Sequence, residues 1–135
     1  MSLIGLDHIV LSVRDVEASL QFYERMLGMA RREERPGKWS LHFGSNKISI
    51  QQFDSVPEIA KNTLPGTGNF CVLSDQPVGQ FADALKISGI TIIDGPVERD
   101  GATGLIESIY FHDPDGNLVE VSNLIARRLK QNETE

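Results

Sequence analysis

Hydrophobic and polar residues alternate most regularly over residues 104–123. A period of two over residues 105–112 predicts a β-strand, and the DPDG tetrapeptide at residues 113–116 supplies the residues that a type I turn favours. A second strand is predicted over residues 117–123, with Glu120 between two valines that point to the opposite side. A carboxylate in mid-strand is costly to bury unless it is paired or bound to a cation. Glu120 is therefore the first candidate site residue.

Two amphipathic helices are predicted from their periodicity and their ends. The first begins after Asp15, a favourable N-cap residue, and ends at Gly28. The second opens with Pro77 at the first helical position and ends at Gly89. The predicted strands are residues 4–13, 29–35, 38–44, 47–53, 69–74, 91–94, 105–112 and 117–123, with a connecting loop at 54–68, a polar glycine-rich segment at 94–104 and a short helix end in the tail from residue 126.

The order strand, helix and three strands occurs twice, which indicates an internal repeat. A shift of 61 residues aligns the two helices and places His8 on Asn69, and a shift of 71 places Ser49 on Glu120. The predicted fold is α+β, with two tandem βαβββ modules forming a curled mixed sheet in a single domain. Its predicted parts are module one at 4–53, a linker at 54–68, module two at 69–123 and a C-terminal tail at 124–135.

The repeat has a chemical consequence at these four positions. Two half-cups related by a pseudo-twofold axis bring equivalent residues to one central point, where His8 and Ser49 from one half would meet Asn69 and Glu120 from the other. An imidazole and a carboxylate that converge in a cup form a plausible site for a divalent cation.

Composition narrows the class of protein. The chain has 135 residues, a formal charge of −6 and one cysteine. The acidic balance, with a pI near 5.0, argues against a nucleic-acid surface, and the chain has neither a membrane-length apolar run nor a secretory signal. The single cysteine, Cys71, excludes an intrachain disulfide and is predicted to be a small buried hydrophobe. We expect a cytoplasmic protein.

Two long motifs carry a family resemblance. The segments LDHIVLSVRDVEASLQFYERMLGM (residues 6–29) and YFHDPDGNLVEVSN (residues 110–123) resemble the vicinal oxygen chelate superfamily, which includes glyoxalase I, fosfomycin-resistance proteins, extradiol dioxygenases and bleomycin-binding proteins. Within it, the chain looks most like glyoxalase-domain-containing protein 5 and bacterial relatives labelled virulence-associated or related to biphenyl-2,3-diol dioxygenase. The resemblance covers nearly the whole chain.

The resemblance implies a metal site and a cofactor. In that family the first and last strands of each half supply metal ligands, and the positions carried over are His8, Ser49, Asn69 and Glu120. His8 and Glu120 match the family pattern, whereas Ser49 stands where glyoxalase I has a carboxylate and Asn69 where many members have a histidine. The implied cofactor is a divalent metal such as nickel, cobalt, manganese, iron or zinc, and Glu120 is the candidate catalytic base.

Four further residues are candidates for contacting a substrate. Gln51 lies two residues beyond Ser49 on the same strand face and is a possible oxygen ligand or substrate contact. Phe53 and Tyr110 are strand aromatics suited to a core or a pocket wall. Arg99 could pair with an anionic substrate.

Three functions remain open from the sequence. The first is a metal-dependent lyase or isomerase of the glyoxalase type that acts on a small oxygen-chelating substrate. The second is a metal-free protein that binds a small ligand, as bleomycin-binding relatives do. The third is an extradiol-type dioxygenase, which requires two histidines and one carboxylate. In the superfamily that the chain resembles, two modules form a cup either within one chain or between two chains. We therefore also expect a homodimer.

Overall fold

The computed structural model describes residues 1–55 and 60–127, which form two helices and eight strands. The elements are β1 (His8–Val13), α1 (Val16–Leu27), β2 (Ala30–Arg35), β3 (Lys38–Phe43), β4 (Asn46–Gln52), β5 (Asn69–Leu73), α2 (Val78–Ile87), β6 (Asp94–Asp100), β7 (Gly104–His112) and β8 (Leu118–Arg127). Their order confirms the predicted α+β fold of two βαβββ modules. No helix within the described residues is long and apolar enough to cross a membrane.

Each module forms its own mixed four-stranded sheet. The strand orders, β1-β4-β3-β2 and β5-β8-β7-β6, are the same in the two copies. The first and last strands of each module pair in parallel, with Val10 beside Ser49 in the first sheet and Cys71 beside Glu120 in the second. These registers confirm that Ser49 and Glu120 occupy equivalent positions in the repeat.

The chain divides into two compact units that do not coincide with a simple cut in the sequence. Among the described residues, the first unit contains those of Met1–Gly68 together with Asp113–Asn117, and the second contains Asn69–His112 and Leu118–Arg127. The turn between β7 and β8 therefore belongs to the first unit.

Helix α1 covers one face of the first sheet. Asp15 caps the helix by accepting a hydrogen bond from the Ala18 amide at 3.0 Å, and Gly28 ends it with a φ of 68°. Leu20 on the helix is buried, as are Leu41 and Ile48 on the sheet beneath it. Since side chains alternate along a strand, the neighbouring residues of these strands point to the opposite side, which we call the helix-free face of the first sheet.

Helix α2 covers the second sheet in the same way. Val78 and Leu85 are buried on the helix, and Val119 and Val121 are buried on the sheet. Pro77 is the N-cap residue and not the first helical residue as predicted. Because proline offers no capping side chain, the Asn123 Oδ1 atom on β8 accepts the Val78 amide hydrogen bond at 2.8 Å instead.

Three predicted boundaries differ from the structure. Residues 91–93 are not a strand, and the glycine-rich segment predicted at 94–104 contains the edge strand β6. Gly95 makes this pairing possible, because it adopts a φ of 103° and a Cβ atom there would overlap the Ser108 carbonyl. Strand β8 extends through Arg127, so the start of the predicted helical tail is strand, and β1 begins at His8 rather than at residue 4.

The DPDG turn is an internal anchor of the first unit. The Gly116 amide donates to the Asp113 carbonyl at 3.0 Å, as expected of the predicted turn. The buried Asp113 carboxylate accepts four further hydrogen bonds: one oxygen from the Asp115 and Asn117 amides, each at 2.9 Å, and the other from the Tyr23 hydroxyl at 2.7 Å and the Asn117 side chain at 2.8 Å. Burial, followed by the Asp113 charge, raises the pKa of Tyr23.

Candidate functional site

The four predicted metal ligands divide equally between the two units, with His8 and Ser49 in the first and Asn69 and Glu120 in the second. All four lie on the helix-free faces of their sheets, because their strand neighbours point toward the helices. Their combination into one site stays a prediction, as it was from the sequence.

One ring nitrogen of His8 contacts a neighbouring carboxylate. His8 begins β1 and is exposed, and its Nδ1 atom lies 2.9 Å from the Asp7 carboxylate. A carboxylate that accepts from Nδ1 fixes the tautomer and leaves Nε2 for a ligand, which is the arrangement usual for a metal-binding histidine. Ser49, in mid-β4, is half-buried and is paired in register with Val10 and Ser40.

Glu120 is half-buried in the middle of β8, between Ser122 on its own strand and Tyr110 on β7. The Ser122 hydroxyl donates to its carboxylate at 3.4 Å, and Tyr110 is its register partner directly opposite on β7. Burial, followed by the interaction with Glu120, raises the pKa of Tyr110. Asn69 begins β5, is exposed, and lies two residues before Cys71, the register partner of Glu120.

Cys71 differs from its prediction as a buried hydrophobe. Cys71 as a whole residue is exposed to solvent, although its Sγ atom lies 3.2 Å from the Ser122 hydroxyl. Burial of the sulfur atom, together with the nearby Glu120 carboxylate, raises the pKa of the Cys71 thiol. The thiol is therefore neutral near pH 7 and a weak nucleophile.

Two of the predicted substrate residues line a cavity of about 480 Å³ in the first unit. Gln51 and Phe53 line it together with Val10, Leu64 and Asn117. The Gln51 amide donates to the Ser12 hydroxyl at 3.0 Å, which fixes the direction of its carbonyl. The cavity combines exposed apolar side chains with amide and hydroxyl groups, the composition usual for a small-molecule site.

The other two predicted substrate residues contact each other in the second unit. The Arg99 guanidinium lies 5.6 Å from the centroid of the Tyr110 ring, within the range of a cation–π interaction. The same guanidinium donates to Asp94 at 3.2 Å and to the Glu98 carbonyl at 2.9 Å. Tyr110 thus connects Arg99 with Glu120.

A further polar cluster, which we did not predict from the sequence, lies on the helix-free face of the first sheet. One oxygen of Glu34 accepts hydrogen bonds from the Ser40 hydroxyl at 2.7 Å and from Lys47 Nζ at 3.0 Å, and His42 Nε2 lies 3.2 Å from it. A register irregularity between Glu33 and Arg35 accompanies the turn of Glu34 toward this face. The cluster is not a nucleophilic triad, because His42 presents the same ring nitrogen to both Ser40 and Glu34.

The Glu34 cluster predicts an unusual acid titration. The hydrogen bonds from Ser40, Lys47 and His42 lower the pKa of Glu34 to about 2. A lowered pKa means that this carboxylate stabilises the folded protein above about pH 4.5 and loses that contribution as the pH falls toward 2. Carbon-detected NMR should show Glu34 titrating near pH 2. Ser40→Ala should raise its pKa and the control Ser45→Ala should not; titration near pH 4.5 in the parent would contradict this.

Two of the four predicted ligand positions carry side chains of a type that binds divalent cations. His8 supplies an imidazole nitrogen with its second nitrogen already held by Asp7, and Glu120 supplies a carboxylate. Ser49 and Asn69 offer only neutral oxygen atoms, which are weaker ligands. No group of three or more histidine, cysteine, aspartate or glutamate side chains within residues 1–55 and 60–127 is arranged to hold a metal.

Comparison with known proteins establishes the class. The model of the Glyoxalase/Bleomycin resistance protein/Dioxygenase superfamily matches residues 5–121 of the chain. The protein therefore belongs to this superfamily, which confirms the resemblance seen in its two motifs.

Individual relatives cover most of the chain. Virulence protein STM3117 of Salmonella typhimurium is 38% identical over 122 residues, which are 89% of this chain and 84% of that protein. Its crystal structure has a TM-score of 0.86 to this one and covers 93% of this chain and 100% of that chain. The integron cassette protein VCH_CASS1 of V. cholerae is 40% identical with a TM-score of 0.86, over 91% of this chain and 97% of that chain. Glyoxalase domain-containing protein RDO1 of Mycosarcoma maydis is 36% identical over 126 residues, 91% of this chain and 70% of that protein.

Proposed function

We propose that this protein is a divalent-metal-dependent enzyme of the glyoxalase type, with His8 and Glu120 as its metal ligands. The observation that carries the proposal is the half-buried carboxylate of Glu120 in mid-strand, on the helix-free face and at the repeat position of Ser49. Superfamily membership supports it, as does a relative whose name states metal use: Metallothiol transferase FosB of Staphylococcus haemolyticus is 26% identical over 117 residues, 87% of this chain and 81% of that protein.

The residues around Glu120 suit it to move a proton. A bound divalent cation would supply Lewis-acid polarisation of two adjacent substrate oxygens. The Ser122 hydroxyl donates to the Glu120 carboxylate and Tyr110 lies directly opposite it; a carboxylate oxygen released from the cation would be the proton acceptor for an isomerisation between neighbouring carbons. Tyr110 in turn is fixed by the guanidinium of Arg99 over its ring.

Turnover of a glyoxalase substrate tests this assignment. With nickel added, the purified protein should convert the hemithioacetal of methylglyoxal and glutathione. Glu120→Gln should lower the rate by about 100-fold or more, because general-base catalysis contributes a factor of this size. Glu98→Gln, a matched change at an exposed position on β6, should leave the rate unchanged. Equal rates for the parent and Glu120→Gln would end the assignment of Glu120 as the base.

The cavity in the first unit favours a second candidate function, metal-free binding of a small ligand. Its volume of about 480 Å³ and its partly apolar walls are suited to a small organic molecule. Elemental analysis of protein purified without chelator or affinity tag separates the two candidates, since a metal-free protein that no divalent ion stabilises would favour binding alone. The extradiol dioxygenase hypothesis requires a second histidine, and this chain has Asn69 at that position.

We also propose that the protein is a homodimer. Each sheet ends in two edge strands, β1 and β2 in the first and β5 and β6 in the second, and such edges invite pairing with another chain. Sedimentation at micromolar concentration should give the mass of two chains. A monomer under these conditions would contradict the proposal.

A further inference from the structure

Charge is unevenly distributed over the first sheet. Alternation along the strands places Arg32, Lys38 and Lys47 on its helix-free face, together with the Glu34 carboxylate, and the Asp7 carboxylate just before β1 lies beside His8. The face is therefore basic, although the whole chain has a formal charge of −6. Arg31, the neighbour of Arg32, points to the other side, where it pairs with carboxylates of α1. The basic character thus belongs to one face rather than to β2 as a whole.

Two of these cations have donors to spare. Lys47 Nζ donates to Glu34 at 3.0 Å, which fixes the ammonium group and leaves two of its three N–H donors. Arg32 is exposed and is paired in register with Ser40, and its guanidinium makes no hydrogen bond or ion pair with any described residue. Ser49 lies opposite Ser40 on the next strand, between Lys47 and Gln51 along β4.

We propose that this face binds the oxyanion of a small molecule, a carboxylate, phosphonate or phosphate, through Arg32 and Lys47, with the Ser49 hydroxyl as a further donor. Charge-assisted hydrogen bonds from guanidinium and ammonium groups are the usual means of holding such an anion. The proposal gives a reason for serine at position 49, because Lys47 is already paired with the Glu34 carboxylate and a second carboxylate at position 49 would repel the anion.

The position of this anion site also restricts the shape of the molecule. Gln51 is the next residue of β4 on the same face, about 7 Å from Ser49 along the strand, and it lines the cavity. A molecule with its oxyanion at Arg32 and Lys47 would therefore extend its uncharged part toward Gln51 and Phe53. The identification of this molecule as the substrate rests on the proposed function. The binding of an oxyanion to this face does not depend on it.

Titration of metal-free protein with inorganic phosphate, and separately with acetate, tests the proposal. Amide NMR shifts should saturate and centre on residues 40–42 and 47–51. Arg32→Gln and Lys47→Gln should each weaken binding about tenfold or more, because each removes a hydrogen bond between charged groups. Arg25→Gln, an exposed change of the same charge on α1, should leave binding unchanged. Tighter binding of phosphate assigns a phosphate or phosphonate, and tighter binding of acetate assigns a carboxylate.

Ser49 provides a second, opposing pair of variants. Ser49→Glu should abolish phosphate binding and strengthen nickel binding, since it repels the anion and adds a carboxylate ligand, whereas Ser49→Ala should weaken phosphate binding only modestly. Absence of saturable shifts in the parent, or equal affinity in Arg32→Gln, Lys47→Gln and Arg25→Gln, would overturn the anion site. Loss of metal binding with phosphate binding intact would instead overturn the proposed function alone.

Discussion

Replacing Asp113 with alanine is expected to destabilise the protein by about 3–4 kcal/mol, because it leaves several buried donors without an acceptor at about 1–3 kcal/mol each. Asp113 is 5% exposed and accepts from two backbone amides, the Tyr23 hydroxyl and the Asn117 side chain. Asn117 also accepts the Gly68 amide at 2.7 Å, so the same change would disturb the chain just before β5.

Urea unfolding, followed by circular dichroism, measures this effect. Tyr23→Phe should cost about 1.5–3 kcal/mol, since it removes one hydrogen bond to a carboxylate and keeps the packing of the ring. Asp83→Asn, an exposed change on α2, should stay within about 0.5 kcal/mol of the parent. If Asp113→Ala is no less stable than Asp83→Asn, the turn is not the anchor that its hydrogen bonds indicate.

Replacing Asn69 with histidine is expected to tighten the binding of nickel, cobalt or zinc by about tenfold or more, the gain that a well-placed additional ligand gives. Asn69 occupies in β5 the register position that His8 has in β1, because both are the first residues of their strands and both pair two positions before Ser49 or Glu120. The substitution would complete a set of two histidines and one carboxylate. A competition titration against a chromogenic chelator measures the affinity.

The control for this substitution is chosen from the same strand face. Cys71 is unsuitable, because its sulfur lies beside Ser122 and Glu120, and a histidine there could itself reach the metal. Leu73→His introduces the same imidazole at an exposed position two residues further on, and it should leave metal affinity unchanged. If Asn69→His has no effect while His8→Ala abolishes binding, Asn69 does not face the metal.

Most elements of the fold could be predicted because their ends carry explicit signals. Asp15 and Gly28 define α1 through a side-chain cap and a positive φ, and the structure contains both. Strand β6 was predicted too early, at residues 91–94, because the glycine, proline and charged residues of Asp94–Asp100 are typical of a loop. It is nevertheless an edge strand, where proline is tolerated and Gly95 allows the close approach to β7.

The candidate site was predictable where the repeat determines it. Alternation and the repeat together placed Ser49 and Glu120 at equivalent positions, and the strand registers agree. The Glu34 cluster was not predictable, because it joins residues of three strands and the polar run ARREER does not indicate which side of β2 faces the helix. The sequence indicates only that Asp113 is a turn residue. Its burial could not be predicted, because its partner Tyr23 is distant in the sequence.

Metal-dependent thermal stabilisation tests the central claim, that His8 and Glu120 hold a divalent cation, most directly. A ligand that binds only the folded state raises the melting temperature, so nickel, cobalt, manganese or zinc should stabilise the parent. The shift should disappear in both His8→Ala and Glu120→Gln and persist in His112→Ala, an exposed histidine at the end of β7. A parent that no divalent metal stabilises, or His8→Ala and Glu120→Gln proteins that respond as the parent does, would show that these two residues do not hold a cation.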